Sequence, residues 1–185
     1  MENYREILDR LCMEMIDHDR RDPKRIQHFM KVHAFAALIA RREELDEHLT
    51  FIIEAASYMH DIGIHKAEAL YGRCTGALQE ELGPGEAEPI LRRLGFDVED
   101  IERICYLIGH HHTYTNIQGM DYRILIEADF LVNMYEESYK SNAVQNVYEK
   151  IFVTETGRKI CRELFLDERN QEYKEWIRAK HGEIL

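Results

Sequence analysis

The chain has 185 residues, 45% apolar and 32% charged. That is one ordinary domain's worth, enough for a real core, and it excludes a disordered chain. With 35 acids against 24 bases and a net charge of −11, a sequence-independent grip on a nucleic-acid duplex is excluded as well, since that needs a basic surface.

No apolar run approaches the roughly 18 residues of a membrane span. The opening MENYREILDRL is acidic and amphipathic, unlike a secretory leader. A cytoplasmic protein is expected. Cys12, Cys74, Cys105 and Cys161 lack any CxxC spacing and read as reduced, partly buried thiols. Helical periodicity dominates and strand alternation is nearly absent. Residues 3–17 form an amphipathic helix with Ile7, Leu8, Leu11 and Met15 on one face. Asp22 caps a second helix that Pro23 opens and that runs to about Arg42. Thr50 caps the third, FIIEAASYMHD, which stops before Gly63. Residues 64–82 are ambiguous: a short helix, then a loop holding Gly72, Thr75 and Gly76. GPGEAEPILRRLG is a helix ending at Gly95, with Pro84 near its start. Asp97 or a neighbour caps a helix through Ile108, His110 to Asp121 is a loop, and Asp121 caps YRILIEADFLVNMY. Further helices follow at roughly 138–153 and 156–168, with Thr154 or Thr156 as a cap, and another ends near Lys180.

The reading is one all-α domain over 1–185. Its core spans about 23–135, with the N-terminal helix 3–17 and C-terminal helices over 138–180 packed on it. The tail, including Tyr173, Trp176 and Ile177, packs on the core or forms a homodimer surface.

Four segments place ionisable residues where apolar ones belong. In RIQHFMKVHAFAALIA, His28 shares a helical face with Val32, Phe35, Ala36 and Ile39, so it points at the core. Lys31 lies off that face and His33 beside it. In AASYMHDIG a strongly apolar helix ends in His60 and Asp61. Neighbours on a regular helix diverge by about 100°, so the two serve one site only if the helix is ending there, as Gly63 allows. In ICYLIGHHHTYTN, His110, His111 and His112 follow a buried face where Gly109 lets the helix break, and one or two of them face a site. In YRILIEADFLVNMY, Asp129 is flanked at helical spacing by Leu125, Ile126 and Val132, while Glu127 lies on a face that reaches solvent. A lone buried carboxylate is costly unless paired or metal-bound; Arg25 and Arg123 are the ordinary pairing partners. Singly, each feature fits a hydrogen-bonded core residue or a solvated charge. Together they supply two imidazoles and two carboxylates from three core helices, a set that neutralises a divalent cation and leaves positions for water.

The ordered set Arg25-x-x-His28, Val32, Ala36, Ala55-Ala56, His60-Asp61-Ile62-Gly63, Ala128-Asp129 and Leu131-Val132 resembles the HD-domain superfamily. That family's signature is His…His-Asp…Asp on an all-α fold. The resemblance implies a single-domain helical bundle of the HD type with a metal site between core helices, and ligation by His28, His60, Asp61 and Asp129. It also implies a metal-dependent hydrolase that cleaves a phosphate ester of a nucleotide or another small phosphorylated metabolite. Iron, manganese, cobalt, nickel or zinc suits such a ligand set, with magnesium admissible. Two-metal members add histidines between the His-Asp pair and the last Asp, one commonly at the start of the helix that here begins near GPGEAEP. No histidine stands there; Glu81, Glu86 and Glu88 are nearby, and the histidine triplet is a second ligand region. One ion is expected rather than two. Many relatives carry Lys soon after the His-Asp pair, and Lys66 is its approximate counterpart.

In this reading Asp61 ligates the metal and orients or deprotonates a water. Lys66, Arg73, Thr75 and the N–H of Gly76 are the candidates for holding phosphoryl oxygens, with His110 or His111 across the cleft. One of those histidines protonates the leaving oxygen. Solvated charge is the plain alternative for Lys66 and Arg73. Tyr114 and Asn116 shape a substrate pocket. Two rival readings use the same residues: a catalytically restricted HD domain that binds a nucleotide or a partner, and a di-iron oxygenase, which needs six ligands where four are firm. Neither a membrane nor a duplex is an expected partner.

Overall fold

In the computed structural model, residues 4–166 are described. The helices are α1 (Tyr4–His18), α2 (Pro23–Arg42), α3 (Glu47–Met59), α4 (Ile64–Tyr71), α5 (Gly76–Leu94), α6 (Val98–Ile108), α7 (Met120–Glu136), α8 (Ser141–Lys150) and α9 (Glu155–Cys161). One turn of π-helix, Arg162–Leu166, follows α9. No strand occurs among the described residues, and none of their helices is long and apolar enough to cross a membrane. Tyr173, Trp176, Ile177 and the helix expected to end near Lys180 lie outside the described residues.

Helix α3 is the axis of the molecule. Phe51, Ile52, Ile53, Ala55, Ala56, Ser57, Tyr58 and Met59 are all buried. Fully burying one large aliphatic side chain is worth about 1.5–3 kcal/mol, so this helix anchors the core. α2 packs along both α3 and α7, α6 along α3 and α5, and α1 lies on α3 and α5. Ala36, Ala40, Ala55, Ala56 and Ala128 are fully enclosed. Small side chains at such contacts let helix axes come close, which draws α2, α3 and α7 around one point.

The beginning of α2 matches its sequence signal: Asp22 accepts from the N–H of Arg25 at 3.1 Å, and Pro23 stands first. α1 likewise buries Ile7, Leu8, Leu11 and Met15. Three boundaries differ from expectation. The cap of α3 is Asp46, which accepts from the Leu49 N–H at 2.8 Å, and Thr50 lies inside the helix. A carboxylate four residues upstream simply outcompetes the hydroxyl as a cap. Helix α7 starts after Gly119, whose φ is +91°, and Asp121 sits in its first turn, tied to Arg103 at 2.7 Å. Helix α5 starts at Gly76 behind a Thr75 cap, so Pro84 is internal.

That last difference has a steric cause. Gly83 and Gly85 look like helix breakers, but Gly83 is there for close approach. A Cβ at Gly83 would stand 2.6 Å from Ile108 Cγ2, and one at Gly63 would stand 2.9 Å from the backbone N of Gly83. Helix α5 thus runs hard against the turn that carries His60 and Asp61. Gly63→Ala is expected to destabilise the protein by about 1–3 kcal/mol, because backbone cannot rotate out of the way. A thermal melt reads it; an unchanged midpoint would mean that the two segments are free to separate.

Glu127 also departs from expectation. It is fully buried rather than solvent-reaching. Its Oε1 accepts from the N–H groups of Val153 and Thr154 at 2.7 and 2.9 Å, and its Oε2 from the Thr154 hydroxyl. Thr154 in turn caps α9 through the Gly157 N–H at 2.9 Å. The C-terminal elements cover this face of α7, which periodicity within α7 alone does not reveal.

Candidate metal centre

α3 closes in a tightened turn. The N–H of Ile62 bonds the carbonyl of Met59 and that of Ile64 the carbonyl of Asp61, both three residues back. This departure from regular helix brings the adjacent side chains of His60 and Asp61 to one side. Across from them stand His28 of α2 and Asp129 of α7. His28 Nε2 lies 3.2 Å from His60 Nε2, 3.2 Å from Asp129 Oδ1 and 3.5 Å from Asp61 Oδ2. His60 Nε2 lies 3.5 Å from Asp129 Oδ1 and 3.6 Å from Asp61 Oδ2. Asn133 Nδ2 donates to Asp129 Oδ1 at 2.9 Å. No arginine pairs with Asp129 among the described residues; Arg25 instead meets Asp22, Glu68 and His65.

The outward nitrogens suit this cluster to ligation. His28 Nδ1 donates to Glu136 Oε2 at 3.0 Å, and His60 Nδ1 to the Ser57 carbonyl at 2.9 Å. His111 Nδ1 donates to the Ile108 carbonyl at 2.7 Å. With Nδ1 carrying the hydrogen, each neutral ring turns an Nε2 lone pair inward. Bare nitrogens and carboxylate oxygens facing one another repel unless a cation or a proton stands among them. Burial opposes charge on His28 and His60, but the neighbouring Asp61 and Asp129 outweigh it, raising His28 above its ordinary range and His60 to about 9. Burial likewise pushes Asp61 and Asp129 up, but the imidazoles hold both well below the usual carboxylate range. Asp129 is 5% exposed and His60 fully enclosed, whereas the Asp61 side chain is 25% exposed. Asp61 is therefore the open side of the cluster.

Asp61 faces two ways. Its Oδ1 lies 3.5 Å from His111 Nε2. Gln79 Oε1 lies 3.2 Å from the same nitrogen and 2.8 Å from His112 Nε2. Asp61, His111 and His112 thus make a second group of donors sharing one residue with the first. Burial, then the neighbouring His111, lowers His112 to about 4 and keeps it neutral. Glu80 Oε1 secures this segment by accepting from the His112 N–H and the Thr113 hydroxyl.

His110 is the member of the triplet that turns away, contrary to its expected catalytic place. Its Nδ1 bonds the Tyr106 carbonyl at 2.7 Å and its ring stacks on Tyr106 at 4.1 Å. Tyr106 thus holds the His110 ring apart from the other two. Lys66 is paired with Glu86 at 2.7 Å. Arg73 is exposed in the turn after α4. The Thr75 hydroxyl accepts from the Leu78 N–H as the cap of α5. Gly76 lies under the His112 ring, which a Cβ there would meet at 2.8 Å. Tyr114 is 42% exposed, with its ring 5.2 Å from that of Phe130 and its hydroxyl 3.5 Å from His112 Nδ1. Of the expected glutamates, Glu86 pairs with Lys66 and Glu88 with Arg92, while Glu81 is exposed. Lys31, expected off the face, reaches Glu136 behind His28.

Asn133 and Glu136 stand four and seven residues after Asp129, the spacing of one helical face; that signal was present in the sequence. Gln79 and Glu80 carry no such signal, because in the sequence they fall in the stretch that reads as a loop before α5. Elsewhere His18, Asp19 and His65 gather as well, with Asp19 Oδ1 2.7 Å from His18 Nδ1 and 3.2 Å from His65 Nε2. The Arg25 guanidinium lies 2.9 Å from His65 Nδ1 and already supplies positive charge, which marks an ion-paired network.

No protein-family model matches the sequence, and no curated protein matches it. Among solved structures, Bacillus subtilis YpgQ superposes with a TM-score of 0.65 over 98% of this chain and 97% of that one. At 16% identity this shows a shared fold. A predicted HD superfamily hydrolase from an uncultured Thermotogales bacterium has a TM-score of 0.61 over 93% of this chain and 92% of that one. It is 30% identical to this sequence, and a likeness of that degree over nearly the whole of both chains is one of descent: this chain belongs to the HD superfamily.

Proposed function

We propose that the protein is a metal-dependent phosphohydrolase acting on a phosphate ester of a nucleotide or another small phosphorylated metabolite. The observation that carries this reading is the convergence of His28 Nε2, His60 Nε2, Asp61 Oδ2 and Asp129 Oδ1, with both rings turned nitrogen-first into the cluster. Two imidazoles and two carboxylates of this kind suit a divalent transition metal. When bound, that ion supplies a water of lowered pKa and charge neutralisation for a phosphoryl oxygen.

The chain's own residues divide the remaining work. His28, His60 and Asp129 are buried and hold the ion; Asp61, the exposed member, orients the attacking water and accepts its proton. His111 Nε2 lies 3.5 Å from Asp61 Oδ1, so its lone pair takes the water's proton from Asp61 and passes it to the leaving oxygen. Arg73 and Tyr114, both exposed, are the proposed substrate contacts. Lys66 contributes only if substrate draws it from Glu86. The Thr75 hydroxyl and Gly76 N–H serve at the head of α5. The Tyr114–Phe130 pair supports a substrate with a flat ring. One ion remains the first reading. A second ion is supported by one observation: His111 Nε2 lies within 3.5 Å of two acceptor oxygens, those of Asp61 and Gln79.

The test couples metal quantification to a nucleotide and phosphatase panel with added Mn²⁺, Co²⁺, Fe²⁺ or Mg²⁺. Metal-dependent phosphate release is expected. Metal held without hydrolysis would point to a binding domain, and two irons with oxygen chemistry to an oxygenase.

A pH dependence follows from His60, which the two carboxylates raise to about 9 against burial. Its proton must leave before Nε2 can ligate. Affinity for Co²⁺ is therefore expected to rise from pH 7 toward 9, by up to about tenfold per unit per proton displaced. Calorimetric titration in buffers of different ionisation enthalpy counts the released protons. Stability of the metal-free protein runs the other way. A histidine raised in the folded state contributes fully below its unfolded value of about 6.5, and that contribution is lost as pH rises through about 9.

A further inference from the structure

The three inward-facing imidazoles are held by different kinds of acceptor. His60 and His111 follow the ends of α3 and α6, and each gives its Nδ1 hydrogen to the carbonyl three residues back, Ser57 or Ile108. Carbonyls in a last helical turn have no intrahelical partner and are free to accept. His28 has no such recourse. It is the sixth residue of α2, where neighbouring carbonyls are consumed by the helix. Its Nδ1 needs an acceptor from another element.

Glu136 is that acceptor. It is the last residue of α7, two turns beyond Asp129 and on the same face. Its Oε2 lies 3.0 Å from His28 Nδ1, and its Oε1 takes the Lys31 ammonium. Lys31 is one turn beyond His28 on α2. The Glu136 side chain is 13% exposed, so the contact is shielded from competing water. α2 and α7 therefore each carry a proposed ligand and a supporting charge one or two turns further on.

Resting on the metal-centre reading above, we propose that Glu136 is a positioning residue for His28. Its carboxylate fixes the Nδ1–H tautomer and the ring plane, so that the Nε2 lone pair faces His60 and Asp129. Lys31 fixes the carboxylate and balances its charge. An ionised acceptor also makes the ring a better electron-pair donor than a carbonyl does. Glu136 itself touches neither substrate nor ion.

The test uses the full chain with Co²⁺ as probe and three variants. Glu136→Ala is expected to weaken Co²⁺ binding about 10–100-fold in chelator competition. In the metal-free protein at alkaline pH, the ring nitrogens of His28 in nitrogen-15 NMR should change from one tautomer to a mixture. Glu136→Gln retains an acceptor oxygen and should keep the Nδ1–H tautomer and recover part of the affinity. Lys31→Met should lose less than Glu136→Ala. Glu136→Ala with affinity within twofold of wild type and an unchanged His28 tautomer would overturn the proposal. Should Glu136→Ala fail to fold, Glu136→Gln decides it: a mixed tautomer there means that hydrogen bonding to residue 136 does not set the ring. Should the wild type bind no Co²⁺, the metal-centre reading fails, while the tautomer arm still decides whether Glu136 orients His28.

Discussion

Asp129→Ala is expected to lose tight metal binding and phosphate release together while the chain stays folded. The carboxylate lies within 3.2 and 3.5 Å of two imidazole nitrogens and is 5% exposed. Removing it leaves two rings and Asp61, a set with one negative charge fewer for a divalent cation to meet. A drop in kcat/KM of about a thousandfold or more is expected, equivalent to about 4 kcal/mol of transition-state stabilisation. Asp129→Asn sharpens the test. It keeps the volume and can still bond Asn133, so a loss close to that of alanine assigns the effect to charge. Circular dichroism of the metal-free variants checks the fold, since the field that raises His28 and His60 is weakened and both rings can go neutral. Hydrolysis at the wild-type rate in either variant would make Asp129 a structural residue and take it out of the proposed ligand set.

Much of the core was legible because its signals are local. The Asp22-Pro23 start of α2, the buried stripe of α1 and the Gly95 end of α5 each depend on residues within a turn or two. The four proposed ligands were legible for a different reason: an ionisable group at an apolar position must have a partner, and four such positions suggest that they partner one another. What escaped was set by neighbours distant in the chain. Gly83 reads as a breaker until Gly63 is seen packed against it. Gln79 enters the site only once α5 is extended back to Gly76. The choice among three histidines turned on a carbonyl, since Ile108 holds His111 inward while Tyr106 holds His110 out. Tyr122 reinforces that choice by donating its hydroxyl to the carbonyls of His110 and Thr113.

Glu127→Ala is expected to be the most destabilising single change outside the His–Asp cluster, at about 3–5 kcal/mol. The estimate follows from what it strands. Two backbone N–H groups and a hydroxyl lose their acceptor at once, in a place where Thr154 is 3% exposed, and each unsatisfied buried donor costs about 1–3 kcal/mol before relaxation. Against a total stability of about 5–15 kcal/mol, that is a large fraction. Glu127→Gln separates hydrogen bonding from charge. Its amide oxygen still serves both N–H groups, and the Thr154 hydroxyl can turn to accept, so about 1 kcal/mol is expected. Burial raises the Glu127 pKa, more than the bonds from Thr154 and Val153 lower it. A carboxyl raised in the folded state stabilises most below its unfolded value, and that contribution falls as pH climbs through the folded value. Wild type should therefore lead Glu127→Gln by most in acid and by less at neutral pH, which denaturant melts at the two pH values will read. Gly157→Ala should fail in the same way as Glu127→Ala, because its Cβ would overlap Glu127 Oε2. Glu43, at the end of α2, accepts from the Thr156 N–H at 2.8 Å, so α9 is latched to the two helices that present His28 and Asp129. If Glu127→Ala melts like wild type, Glu43 and the apolar contacts hold α9 unaided; if it melts early and metal affinity falls with it, the C-terminal elements keep α2 and α7 at the spacing that the centre requires.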